Sequence, residues 1–227
     1  MTTLSIPARF NGPAESANGG IMCGRLAALL DTDGPVQVRL FQPPPLDTEF
    51  RIEVADGLVQ AFHQEQLVAQ ARAVSDEIVP VPPVDFEVAS DAASRFPGFI
   101  EHPFPTCVGC GTQRTDGLAC HAGPIDAGDP GRLATPFVAR ADLPRDLALT
   151  WAALDCPGGW AIGLTGRRAV LGQFTALITE VPQIGERCVV VAQGDGWDGR
   201  KAFSRSTGYG EDGRVLGAAS ATWIELR

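Results

Sequence analysis

The 227-residue sequence has no apolar run approaching the roughly 18–20 residues that cross a bilayer as a helix. It has no cluster of lysine and arginine that would dock an anionic membrane. The N-terminus, Met1-Thr2-Thr3-Leu4-Ser5-Ile6-Pro7, lacks a basic segment followed by an apolar one, so no signal peptide is expected. Basic residues are outnumbered, with 18 Lys and Arg against 27 Asp and Glu, for a net charge of −9. An acidic surface repels phosphate backbones, which argues against nucleic-acid binding. Neither a phosphate loop of the G-x-x-x-x-G-K-[ST] type nor a G-x-G-x-x-G dinucleotide fingerprint follows a strand. A cytoplasmic setting is the expectation, and there the six cysteines stay reduced.

What is present is an ordinary globular composition, 44% hydrophobic and 20% charged, enough to bury a core. The 26 glycines and 18 prolines speak for turns and against a helical bundle. Asn18-Gly19-Gly20 opens a segment to Leu30 with Ile21, Met22, Leu26, Leu29 and Leu30 at helical spacing and Asn18 as N-cap. Extended segments follow over 36–41, 50–55, 58–65 and 66–75, the second with strict alternation and an Asp56-Gly57 turn after it. The order is one helix and then about four antiparallel strands. From Val79 to Pro136 frequent prolines forbid a long helix or a central strand, and the stretch reads as a crossing linker.

The C-terminal part echoes the first. Asp155-Cys156-Pro157-Gly158-Gly159-Trp160 matches the Asn18-Gly19-Gly20 region, and two further matches follow in the same order, around Pro45 and Pro182 and around Val68 and Leu216. Three ordered matches argue for a tandem duplication. The expected division is 1–90, a linker at 91–135 carrying the C-x-x-C, and 136–227.

A unit with a glycine-opened helix followed by a meander, ending in Gly199-Arg200-Lys201 and Ala221-Thr222-Trp223, resembles the hotdog fold of acyl-CoA thioesterases. The resemblance covers about 8–78 and 137–225. It implies an α+β protein of tandem hotdog folds, each an antiparallel sheet wrapped around a central helix. It also implies a thioesterase-like hydrolase acting on acyl-CoA or another acyl thioester, with no cofactor, and allows a homodimer of double hotdogs. The alternatives are a non-catalytic acyl-binding protein and a hotdog dehydratase, the latter needing an Asp/His pair from only three histidines.

The residues divide by role. Gly19-Gly20 and Gly158-Gly159 are read as two helix starts, whose free N–H groups point outward with partial positive charge. Gly20 and Gly159 are then candidate oxyanion donors; the plainer reading is that the glycines serve helix–sheet packing. Asp155 is placed just before the second helix, where it resembles the aspartate of hydroxybenzoyl-CoA-type thioesterases, a base or nucleophile; otherwise it caps the helix. Asn18 stands where phenylacetyl-CoA-type enzymes often have histidine; it can hydrogen-bond but cannot act as a base. Those enzymes also carry a carboxylate two turns into the helix, and neither Leu26–Leu29 nor Thr165–Arg168 supplies one. Gly19, Gly158, Trp160, Gln173 and Thr175 are candidate substrate contacts. Cys107 and Cys110, with Cys120 and His121, form an imperfect zinc set, since sequence neighbours rarely both reach one tetrahedral ion; buried free thiols are the plainer reading.

Overall fold

The computed structural model describes residues 2–126, 128–143 and 146–226. Eleven strands form one antiparallel sheet: β1 (Thr2–Ser5), β2 (Val36–Leu40), β3 (Glu49–Ala55), β4 (Leu58–His63), β5 (Gln66–Ala73), β6 (Gly123–Asp126), β7 (Asp129–Val138), β8 (Ala169–Ile178), β9 (Arg187–Asp198), β10 (Lys201–Tyr209) and β11 (Val215–Glu225). Among the described residues three α-helices accompany them: α1 (Gly19–Ala27), α2 (Phe86–Ala93) and α3 (Leu147–Ala161).

The strand order is β1-β3-β4-β5-β2-β8-β11-β10-β9-β7-β6. Each half therefore has a strand, a helix and four further strands in the same spatial order, and the halves meet at β2 and β8. There Val38 lies opposite Phe174 and Gln37 opposite Thr175. Joining the halves along these edges removes two open strand edges that would otherwise seek partners.

The sheet wraps around α1 and α3, which pack on each other antiparallel. Gly20 and Gly24 sit four residues apart on α1, facing Ala152 and Ala148 of α3. A Cβ at Gly20 would fall 2.7 Å from Ala152 Cα, and one at Gly24 would fall 2.5 Å from Ala148 Cα. Both are backbone contacts that cannot swing aside, so glycine at these positions is what lets the two helices touch.

Helix α3 corrects the sequence reading. It begins at Leu147, with Asp146 Oδ1 accepting from Leu149 N at 3.1 Å, and runs through Asp155, Pro157, Gly158 and Gly159. Asp155 thus lies inside the helix rather than before it. The glycine pair lies in the last turns rather than at a start, so it does not mirror Gly19-Gly20. The physical reason is burial. Every residue from Ala148 to Ala161 is buried, so no polar stripe marks the helix, and Pro157-Gly158-Gly159 looks like a break. The pair serves packing: a Cβ at Gly158 would meet Ser204 Oγ at 2.9 Å, and one at Gly159 the Trp223 indole at 2.9 Å.

Two other elements differ from expectation. β1 adds a fifth strand to the first half, paired with β3. The stretch from Val79 to Pro136 holds α2, β6 and most of β7. Pro136 is tolerated because β6 pairs only with the earlier part of β7, so at Pro136 the strand has one neighbour, β9. On β9, Cys188, Val190 and Ala192 face the main core while Val189 and Val191 face α2 with Ala89 and Ala92. The chain before α2 is strapped to the sheet, with Val81 N donating to Thr207 Oγ1 at 2.9 Å and Tyr209 OH donating to Val81 O at 2.6 Å.

Candidate active site

The site forms where the start of α1 meets the last turns of α3. Asn18 caps α1 through its Oδ1, which accepts from Ile21 N at 3.0 Å. The other end of the same amide donates from Nδ2 to Asp155 Oδ2 at 3.1 Å. Gly20 N donates to that oxygen at 2.9 Å. One carboxylate oxygen of Asp155 is thus fixed by the first turn of a helix from the other half of the chain. The second, Oδ1, is buried and has no protein partner.

Burial is the largest influence on this carboxyl. It pushes the pKa of Asp155 up to about 7, helped by the thiolate character of Cys107 and opposed by the Gly20 and Asn18 hydrogen bonds. A carboxyl in this range is half ionised near neutrality, where a general base works best.

Asp155 opens onto a pocket of about 540 Å³, within the size range of small-molecule sites. Its walls come from Gly19 at the head of α1, the Pro43-Pro44 loop, the start of β8 at Leu171, Trp160, Phe104 and Trp223. The walls are mostly apolar, and they draw on both halves and on the connecting stretch. Among the described residues Gly19 N–H is the first-turn donor of α1 with no protein acceptor, since Gly20 N serves Asp155 and Ile21 N serves Asn18. Gly19 is also pressed by Leu171, whose Cδ2 would lie 2.8 Å from a Cβ there.

Asp155, Asn18, Gly19, Gly20 and Trp160 are therefore brought together. Gly159 borders the pocket, but its N–H lies within the last turns of α3 rather than at a free helix start. Gln173 and Thr175 are not brought in. Phe174 faces α3, its ring 5.4 Å from that of Trp151, and strand alternation turns Gln173 and Thr175 to the opposite face. Neither lines the pocket.

The thiols regroup as well. Cys107 and Cys110 lie with Cys156 of α3, their sulfurs all within 4.8 Å of one another. Cys120 is buried apart from them, and His121 stacks on Phe96 with ring centres 5.0 Å apart. Sequence reasoning missed Cys156; its one signal is its place beside the only carboxylate in an otherwise uncharged stretch from Leu147 to Leu164. His102 is the one histidine lining the pocket among the described residues. Both of its ring nitrogens are engaged, Nδ1 accepting from Phe104 N and Nε2 facing Cys110 O, each at 3.0 Å. Burial lowers its pKa and keeps it neutral.

No protein-family model and no curated protein matches the sequence. Solved structures match its shape over almost the whole chain. A hot dog fold protein of unknown function from Alicyclobacillus acidocaldarius superposes with a TM-score of 0.64 at 14% identity, covering 99% of this chain and 92% of that one. The acyl-CoA thioesterase II TesB2 of Mycobacterium marinum gives 0.59 at 12% identity, covering 99% and 92%. The tesB protein of Mycobacterium avium subs paratuberculosis gives 0.60 at 12%, covering 98% and 91%. The chain has the tandem hotdog fold, with an antiparallel sheet wrapped around a helix in each half, as the sequence resemblance implies.

Proposed function

We propose that this protein hydrolyses an acyl thioester, with Asp155 as the general base and the head of α1 as the oxyanion site. One observation carries the reading: a buried carboxylate, anchored by one oxygen to a helix N-terminus and with its second oxygen unpartnered, belongs to a residue that lines an apolar pocket. The acyl chain would lie along Phe104, Leu171 and Trp223. Asp155 Oδ1 takes a proton from water as the water oxygen adds to the thioester carbonyl carbon. The developing oxyanion faces the Gly19 N–H and the positive end of α1. Collapse expels the thiolate, which takes up the proton. The shape shared with a protein named as an acyl-CoA thioesterase supports the assignment. We also infer that the halves, with their matching strand orders, arose by duplication.

Two competing readings lose their footing. The acyl-binding alternative rested on a missing helix carboxylate. With α3 beginning at Leu147, Asp155 supplies a carboxylate a little over two turns into that helix, which favours hydrolysis. A dehydratase needs a free histidine opposite the aspartate, and His102 has neither ring nitrogen to spare.

For delivery by coenzyme A, a basic turn stands close by. Arg167 and Arg168 immediately precede Ala169 on the pocket wall, although Arg167 is partly occupied by Glu225 at 2.6 Å. The test is a panel of short, medium, long and aryl acyl-CoAs followed by release of free coenzyme A. Turnover of at least one class well above the buffer rate is expected. Binding across the panel with no thiol released would overturn hydrolysis and restore the acyl-binding reading.

A further inference from the structure

The three pocket-side cysteines have a geometry that thioester hydrolysis does not use. Cys107, Cys110 and Cys156 are all buried, and the sulfurs of Cys107 and Cys156 are 3.7 Å apart. Ligands placed tetrahedrally about 2.3 Å from a zinc ion lie about 3.8 Å from each other, so this spacing already matches a shared ion.

The surrounding backbone is shaped for sulfur. Cys107-Val108-Gly109-Cys110-Gly111 forms a tight knuckle, closed by Gly111 N donating to Cys107 O at 2.8 Å. A Cβ at Gly111 would fall 2.5 Å from Cys107 O. A Cβ at Gly109 would overlap Cys156 Sγ itself, so glycine there is what admits the third sulfur against the loop. Asn18 Nδ2 lies 3.7 Å from Cys107 Sγ and 3.8 Å from Cys156 Sγ. Three thiolates around a divalent ion leave one net negative charge in a buried place. Amide donors aimed at the sulfurs are what such a charge requires.

We propose that Cys107, Cys110 and Cys156 form a three-thiolate site for a borderline-soft divalent cation of the zinc type. All three residues line the pocket, so the fourth coordination position faces it and takes a water or an exogenous thiol. Cys120 and His121, the other members of the set read from sequence, are not part of it. The site joins the connecting stretch to α3, so a bound ion would also pin that stretch against the helix. The inference does not depend on thioester hydrolysis.

The test uses full-length protein stripped of metal with a chelator under reducing conditions and titrated with cobalt(II). One equivalent is expected to bind with intense near-ultraviolet thiolate-to-cobalt absorption, in the strength of three thiolate ligands, and to be displaced by one equivalent of zinc. Cys156→Ser should lose most of that absorption, whereas Cys188→Ser, on β9 outside the cluster, should keep it. Circular dichroism checks the fold of each variant. If Cys156→Ser does not fold, the absorption of the wild type alone decides. No thiolate absorption, or absorption undiminished in a folded Cys156→Ser protein, would overturn the site.

Discussion

Asp155→Asn is expected to lower kcat/KM for the preferred acyl-CoA by about 10²–10⁴-fold, the usual contribution of a positioned general base. Asparagine keeps an oxygen for Asn18 Nδ2 and Gly20 N, so the anchor at the head of α1 survives. It cannot take a proton from water. The loss should fall on kcat rather than KM, because the acyl chain is gripped by apolar walls that the substitution leaves alone. The wild-type rate should climb with pH across the region near 7, where Asp155 ionises, and the residual activity of the variant should lose that inflection. Steady-state kinetics of both proteins from pH 5.5 to pH 8.5, about a unit and a half to either side of that value, measures this. Turnover unchanged in Asp155→Asn would remove the residue from the mechanism.

The second large effect is on stability. The Asp155 carboxyl has a folded pKa of about 7 against an ordinary value of 3.8. Between those values the folded protein holds a proton that the unfolded chain has released. The stabilising contribution is therefore complete below pH about 4 and is lost as pH rises through about 7. At 1.36 kcal/mol per pKa unit, the loss for this group from pH 5 to pH 8 comes to about 2–3 kcal/mol. The group is fully buried, so solvent screening does not reduce it. Asp155→Asn has no such titration. Relative to wild type, the variant should gain about 2–3 kcal/mol of stability between pH 5 and pH 8, read from urea unfolding of chelator-treated protein. Parallel pH dependence of the two proteins would contradict the burial of an ionisable carboxyl at this position.

Much of the fold was legible because local signals agreed with it. Asn18 reads as a cap and is one, and the alternation of Phe50-Arg51-Ile52-Glu53-Val54 marks β3. The paired glycines read as helix–sheet devices, and at Gly20 the contact is helix on helix. The second half was harder because its central helix is buried all round. A buried helix has no polar face to set its phase, so the start at Leu147 was hidden and Pro157-Gly158-Gly159 took its place. That single displacement moved Asp155 from inside the helix to its mouth and made the expected carboxylate look absent. Asp155 was still singled out, because Asp155-Cys156-Pro157-Gly158 resembles the aspartate-bearing entrance of hydroxybenzoyl-CoA-type thioesterases whatever the helix bounds. Gln173 and Thr175 went astray at an irregularity between β8 and β11, near Thr222 and Trp223, where the register shifts and strand counting alone loses the face. Cys156 was invisible as a partner of Cys107 because only the tertiary fold brings residues so far apart in sequence together.

The most direct measurement is a crystal structure with a non-hydrolysable thioether analogue of an acyl-CoA. The site described here expects the acyl chain in the pocket beneath Trp223, with the methylene carbon that replaces the thioester carbonyl packed against Gly19 N and facing Asp155 across the space of one water. An analogue seated elsewhere on the molecule, or lying in the pocket with its sulfur turned away from the head of α1, would contradict it.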